Sequence, residues 1–148
     1  MHLVDTNVLV YAADASCPEH VICRSFVERW RAGILPWFCT WSILYEFLRV
    51  TTHQRVLRNP WTTSAAWQFI EALLSSPTFT VLTETPRHRE LVELTLREIP
   101  RVTGNLVFDC RTAVIMREHG IRQIYTRDTD FSKFPFLETV DPLTTRHP

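Results

Sequence analysis

Residues 2–13, HLVDTNVLVYAA, decide how the rest of the chain is read. A strand is expected over residues 2–5, ending on Asp5, and a helix over 7–13. A carboxylate at the end of an apolar strand is costly unless something compensates its charge. The stretch therefore announces both the first unit of an α/β fold and a site at the edge of its sheet.

The same alternation continues outward from this segment. Strands are expected over 36–40, 79–82, 123–126 and 137–140, and helices over 18–32, 42–52, 63–75, 87–98 and 108–119. Ser16 is the expected cap of the second helix, with Pro18 in its first turn. Gly33 is expected to end that helix and Gly120 the last one. Short apolar runs alternating with helices specify a parallel sheet covered by helices. The 148 residues suit one compact domain over 1–148, with residues 101–105 as a loop before the last helix.

Composition excludes several classes. A hydrophobic share of 45% and a charged share of 22% are ordinary for a globular protein, without the run of apolar residues that spans a bilayer. The opening residues carry no basic segment and no extended apolar core of a signal peptide, so a cytoplasmic location without membrane contact is expected. Cys17, Cys23, Cys39 and Cys110 lack CxxC spacing and read as free, mostly buried thiols. The six histidines are scattered, which disfavours zinc.

Chemistry concentrates in five acids: Asp5, Glu46 in SILYEFLRV, Asp109 in NLVFDCRTA, and Asp128 and Asp130 in YTRDTDF. In an open parallel sheet the carboxyl ends of the strands share one edge, where ligands bind. Asp5 ends the first strand and Asp128 follows the fourth. Glu46 lies in the helix after the second strand, and Asp109 sits in a helix first turn, where the dipole favours negative charge. Oxygen-only ligands suit the hard cations Mg²⁺ or Mn²⁺. Such an ion can activate water, neutralise phosphate oxygens and stabilise a leaving alkoxide.

Each acid also has a plainer reading: Asp5 as a helix N-cap, Glu46 as an exposed partner of Arg49, Asp109 as a first-turn acid, Asp128 and Asp130 as turn formers. The formal net charge is zero, yet setting the five acids aside leaves eleven acids against sixteen bases, about +5 for the remainder. Arg49, Arg111, Arg127 and Lys133 are the candidate RNA phosphate contacts.

Taken in order, VDTNVLVYA, YEFLRVTT, VFDCRTAVIMREHG and IYTRDTDFSKFP resemble the PIN-domain ribonucleases, specifically the VapC toxins of bacterial VapBC toxin–antitoxin pairs. The resemblance covers nearly the whole chain, with LSSPTFTVL in the middle and the Asp-Pro-Leu near the end. It implies a three-layer fold whose central parallel sheet of about five strands has the order 3-2-1-4-5. It also implies cytoplasmic endoribonuclease activity on an RNA such as tRNA or ribosomal RNA, inhibition by a cognate VapB-type antitoxin, and a homodimer. The family's metal-binding acids fall on Asp5, Glu46, Asp109 and Asp128, with Asp130 as a further acid and Asn7 and Thr126 as supporting polar residues. The chain departs from many relatives after the third acid, where Cys110, Arg111 and Thr112 replace a small apolar pattern.

Two other readings compete. A non-catalytic PIN module that binds RNA or a protein would gather repelling carboxylates and lose stability for no gain. A haloacid-dehalogenase-like phosphatase with Asp5 as nucleophile would want a second Asp where Asn7 stands. The apolar stretch from Trp61 to Leu74 is a candidate dimer seam or antitoxin groove.

Overall fold

A computed structural model describes residues 1–145. The chain runs β1 (His2–Val4), α1 (Thr6–Ala13), α2 (His20–Ala32), β2 (Trp37–Thr40), α3 (Trp41–Thr52), α4 (Thr63–Leu74), β3 (Phe79–Leu82), α5 (His88–Glu98), α6 (Leu106–Glu118), β4 (Gln123–Tyr125), a 3₁₀ helix (Thr129–Lys133) and β5 (Glu138–Val140). All strand pairs are parallel, in the order β3-β2-β1-β4-β5.

Helical crossovers cover the sheet, so its central strand is buried on both sides. Leu3, Val4, Trp37, Cys39 and Ile124 are fully inaccessible, as are Phe47 of α3 and Ala113 and Val114 of α6. This is why β1 and β2 read as continuous apolar runs rather than alternating ones. After β3 the chain returns to the other side of β1, which makes the β1–β4 boundary the switch point of the sheet. The backbone amide of Asp5 donates to Tyr125 O at 3.0 Å, so the ladder carries Asp5 to that point.

Several boundaries depart from expectation for local reasons. The second helix begins at His20 rather than at residue 18, because a turn intervenes in which Cys17 N donates to Asp14 O and His20 N to Cys17 O. Ser16 does not cap it; its hydroxyl and amide bind the Asp14 carboxylate instead. The last helix begins at Leu106, since Gly104 takes φ +57 and turns the chain two residues before the helix begins. Its end is as expected: Gly120 sits at φ +68, Ile121 N donates to Met116 O and Gly120 N to Arg117 O, a Schellman closure with Ile121 buried behind it. The four cysteines are free, with Cys23, Cys39 and Cys110 buried.

Candidate active site

Asp5 is the N-cap of α1 and 8% exposed. Its Oδ1 accepts from Thr6 N at 2.7 Å, while Oδ2 accepts from Asn7 Nδ2 at 2.7 Å and Thr126 Oγ1 at 2.6 Å. Capping and site membership are thus one arrangement, because the cap fixes the carboxylate at the switch point. Thr126, the residue after β4, is itself buried and holds three partners: it also accepts from Asn7 Nδ2 at 3.2 Å and from the Asp128 amide at 2.9 Å. The loop after β1 and the loop after β4 are therefore tied through one hydroxyl.

The remaining acids arrive from three other elements. Asp128 caps the 3₁₀ helix, with Oδ1 accepting from Asp130 N at 2.8 Å. Asp109 lies in the first turn of α6. Glu46 projects from α3, where Oε2 accepts from Thr6 Oγ1 at 3.0 Å and Oε1 from Arg49 Nη2 at 3.1 Å. All five acids line one cavity of about 1140 Å³. Among the described residues, oxygens of Asp109, Asp128 and Asp130 all lie within 4.8 Å of one another, while Asp5 and Glu46 stand outside that tighter group.

Gathering these charges shifts their equilibria. Burial raises the Asp5 carboxyl to about 6, against its hydrogen bonds from Thr126 and Thr6, with Glu46 and Asp128 adding repulsion. Burial also raises Asp109, to about 7, reinforced by Asp128, Asp5, Asp130 and Glu46. Asp109 thus senses all four other acids. No basic side chain pairs with Asp5, Asp109 or Asp128 among the described residues. An oxygen-only cluster with this unrelieved charge fits a hard divalent cation, and its donor set does not suit a softer one.

The cations expected to contact phosphate are differently placed. Arg49 and Arg111 line the cavity, with Arg111 held by Glu84 at 2.6 Å. Arg127 points its guanidinium to Glu19 at 2.7 Å and Asp141 at 3.5 Å and does not line the cavity. Lys133 binds Asp130 at 2.6 Å. Thr6 was not singled out in the sequence, although its place between Asp5 and Asn7 in the DTN triplet marks it. Tyr45 and Phe108, 67% and 70% exposed, also line the cavity, each next in sequence to a site acid.

The chain matches the PIN domain family model over residues 2–137. Ribonuclease VapC48 of Mycobacterium tuberculosis is 33% identical over 144 residues, covering 95% of this chain and 96% of the relative. Ribonuclease VapC33 of the same species is 32% identical over 143 residues, covering 97% and 99%. Among solved structures, Mycobacterium tuberculosis VapC20, described as a sarcin–ricin loop cleaving toxin, superposes with a TM-score of 0.63 at 21% identity, covering 89% and 93%. FitAcB of Neisseria gonorrhoeae superposes at 0.64 and 18% identity, covering 98% and 100%. Sheet order and full-length similarity agree: the chain belongs to the PIN-domain family, in its VapC ribonuclease branch.

Proposed function

We propose that this chain, acting as one PIN domain, is the toxin of a type II toxin–antitoxin pair and an endoribonuclease dependent on Mg²⁺ or Mn²⁺. The observation that best supports the reading is the raised Asp5 and Asp109 pair in a cavity lined by three further acids. In this reading Asp5, Glu46, Asp109 and Asp128 hold the ion, with Asp130 as a further acid. When bound, the ion supplies water activation and neutralisation of charge on the phosphodiester and its leaving oxygen.

The chain's own residues position. Thr126 and Asn7 orient the two lone-pair faces of Asp5 Oδ2, and Thr6 restrains Glu46 through Oε2. Tyr45 and Phe108 offer exposed rings on which unpaired bases can stack, and Arg49 carries positive charge along the same cavity. The substrate is an RNA with accessible loops, tRNA or ribosomal RNA, and the similarity to a sarcin–ricin loop cleaving toxin makes ribosomal RNA the first to test.

A VapB-type antitoxin and a second copy of the chain are the proposed partners, and the cytoplasm the proposed location. No helix of the described residues is long and apolar enough to cross a membrane. A smaller cavity of about 260 Å³, lined by Val27, Trp61, Phe69 and Leu73 together with Arg24, Glu28 and Arg31, suits an amphipathic antitoxin segment. Trp61→Ala should then weaken antitoxin capture; unchanged capture by light scattering rejects that groove.

The deciding experiment is cleavage of total cellular RNA by the purified, antitoxin-free protein and by Asp5→Asn, with Mg²⁺, Mn²⁺ or chelator. Discrete fragments that require both metal and Asp5 are expected. Intact RNA throughout, from folded protein, would favour the non-catalytic binding module.

A further inference from the structure

Two of the cations offered for phosphate contact are instead bonded to acids of the cavity, through the same local arrangement. On α3, Arg49 follows Glu46 by three residues and places Nη2 3.1 Å from Oε1. On the 3₁₀ helix, Lys133 follows Asp130 by three residues and places Nζ 2.6 Å from Oδ1. Arg111 and Arg127 differ, since their acids, Glu84, Glu19 and Asp141, lie outside the five.

Asp130 is one of the three carboxylates whose oxygens lie within 4.8 Å of one another. An ammonium on it is a resident cation on a carboxylate a divalent ion would use. The Lys133 and Arg49 side chains are 53% and 64% exposed, so both pairs are solvent-screened and weak. A divalent ion carries twice the charge and displaces them with little loss. Each freed side chain stays tethered three residues from its acid.

We propose that Lys133 and Arg49 are displaceable internal counter-ions: they neutralise Asp130 and Glu46 in the metal-free protein, and metal loading releases both to bind the RNA backbone. The inference rests on the metal-dependent nuclease reading above. Its consequence is ordered assembly, in which RNA gains two phosphate-binding cations only after the ion has entered. The charge that restrains metal binding is then the charge that retains substrate.

The test is Mn²⁺ binding to the full chain, read from the paramagnetic resonance of free Mn²⁺ at roughly physiological salt, about 0.15 M. Lys133→Met and Arg49→Met should each bind Mn²⁺ about threefold to fivefold more tightly than the unaltered protein. Lys133→Arg should restore the original affinity. Arg111→Met removes a cation of the same cavity whose partner is Glu84, and should leave affinity within about twofold. A second readout is the KM for RNA, which should rise in Lys133→Met and Arg49→Met with a log–log salt slope shallower by about 0.7 per lost contact. Mn²⁺ affinities no tighter than that of Arg111→Met, or an unchanged salt slope, would overturn the proposal while leaving the nuclease reading intact. If the unaltered protein binds no Mn²⁺, the nuclease reading fails and this inference with it.

Discussion

Replacing Asp5 with Asn should stabilise the metal-free protein while abolishing cleavage. Burial raises the folded-state pKa of Asp5 from 3.8 to about 6, with Glu46 and Asp128 adding to the effect. The folded state therefore holds this proton more tightly than the unfolded state, so stability contributed by the protonated form is present at low pH and lost as pH rises from about 4 through about 6. Two pKa units correspond to a loss of about 3 kcal/mol, complete above pH ~7. Asn does not titrate and escapes that loss. It keeps the Oδ1 cap on Thr6 N but puts an amide where Oδ2 now accepts from both Asn7 and Thr126. Thr126 Oγ1 already accepts from Asn7 and from the Asp128 amide, so neither it nor the Asn7 donor is matched to the new amide, a loss of about 2 kcal/mol. The net gain is about 1 kcal/mol above pH ~7 in chelator, or about 3 °C in Tm for a chain of this size, reversing to a deficit of about 1.5 kcal/mol near pH 4. Thermal unfolding followed by circular dichroism across this range measures it directly. Saturating Mg²⁺ should reverse the order, since an ion at a hundred times its Kd adds about 2.7 kcal/mol to the unaltered protein alone. A metal-free Asp5→Asn protein no more stable than the original at pH ~7.5, or a difference flat across the range, would refute the account of strained charge.

Two further substitutions probe the frame around that carboxylate. Thr126→Val removes the donor to Asp5 Oδ2 and the acceptor for Asn7 and the Asp128 amide. It should lower stability by about 1–3 kcal/mol in urea unfolding and reduce kcat more than it raises KM, whereas Thr126→Ser should retain both; equal loss in the Ser variant would disprove the hydroxyl's role. His2, at the other end of β1, is buried against Trp30 and Tyr125 with no hydrogen-bond partner for Nε2, and burial lowers its pKa to about 4. His2→Phe should raise stability by about 1 kcal/mol at neutral pH and flatten the stability loss on acidification from about pH 6.5 to about 4, where the unfolded imidazole gains its proton first. An unchanged acid limb in chemical denaturation would contradict this.

The parallel sheet and the convergence of acids at its edge were legible because both follow from apolar strands that alternate with helices and end on acids, whereas the strand order was implied only by the resemblance to the PIN-domain ribonucleases. Parallel strands place Asp5 and Thr126 at one edge, and no side-chain detail is needed to see it. The pairing of Glu46 with Arg49 was also legible, since i,i+3 spacing on a helix is a local rule. What the sequence hid depends on contacts between distant residues. Thr6 reaches Glu46 across forty positions, and Arg127 is drawn to Glu19 and Asp141 by packing that no periodicity encodes. The start of α6 was hidden differently. Phe108 looks like the first core residue of that helix, yet it is exposed while Leu106 is buried, so the apolar pattern pointed two residues too late.

The plainer readings of the acids and their functional ones turn out to be compatible, and the reason is physical. A carboxylate intended for a cation must be kept in place when that cation is absent, although its neighbours repel it. Asp5 is retained as the cap of α1, Asp128 as the cap of the 3₁₀ helix, and Asp109 in the first turn of α6, each where unpaired amides or the helix dipole favour negative charge. Glu46 has no such terminus, and it is the acid that draws on a hydroxyl and a guanidinium instead. Helix termini at the carboxyl edge of a parallel sheet thus supply in advance part of the positive potential a divalent ion would complete. A cluster of acids can then be tolerated by the fold before it is used by the chemistry.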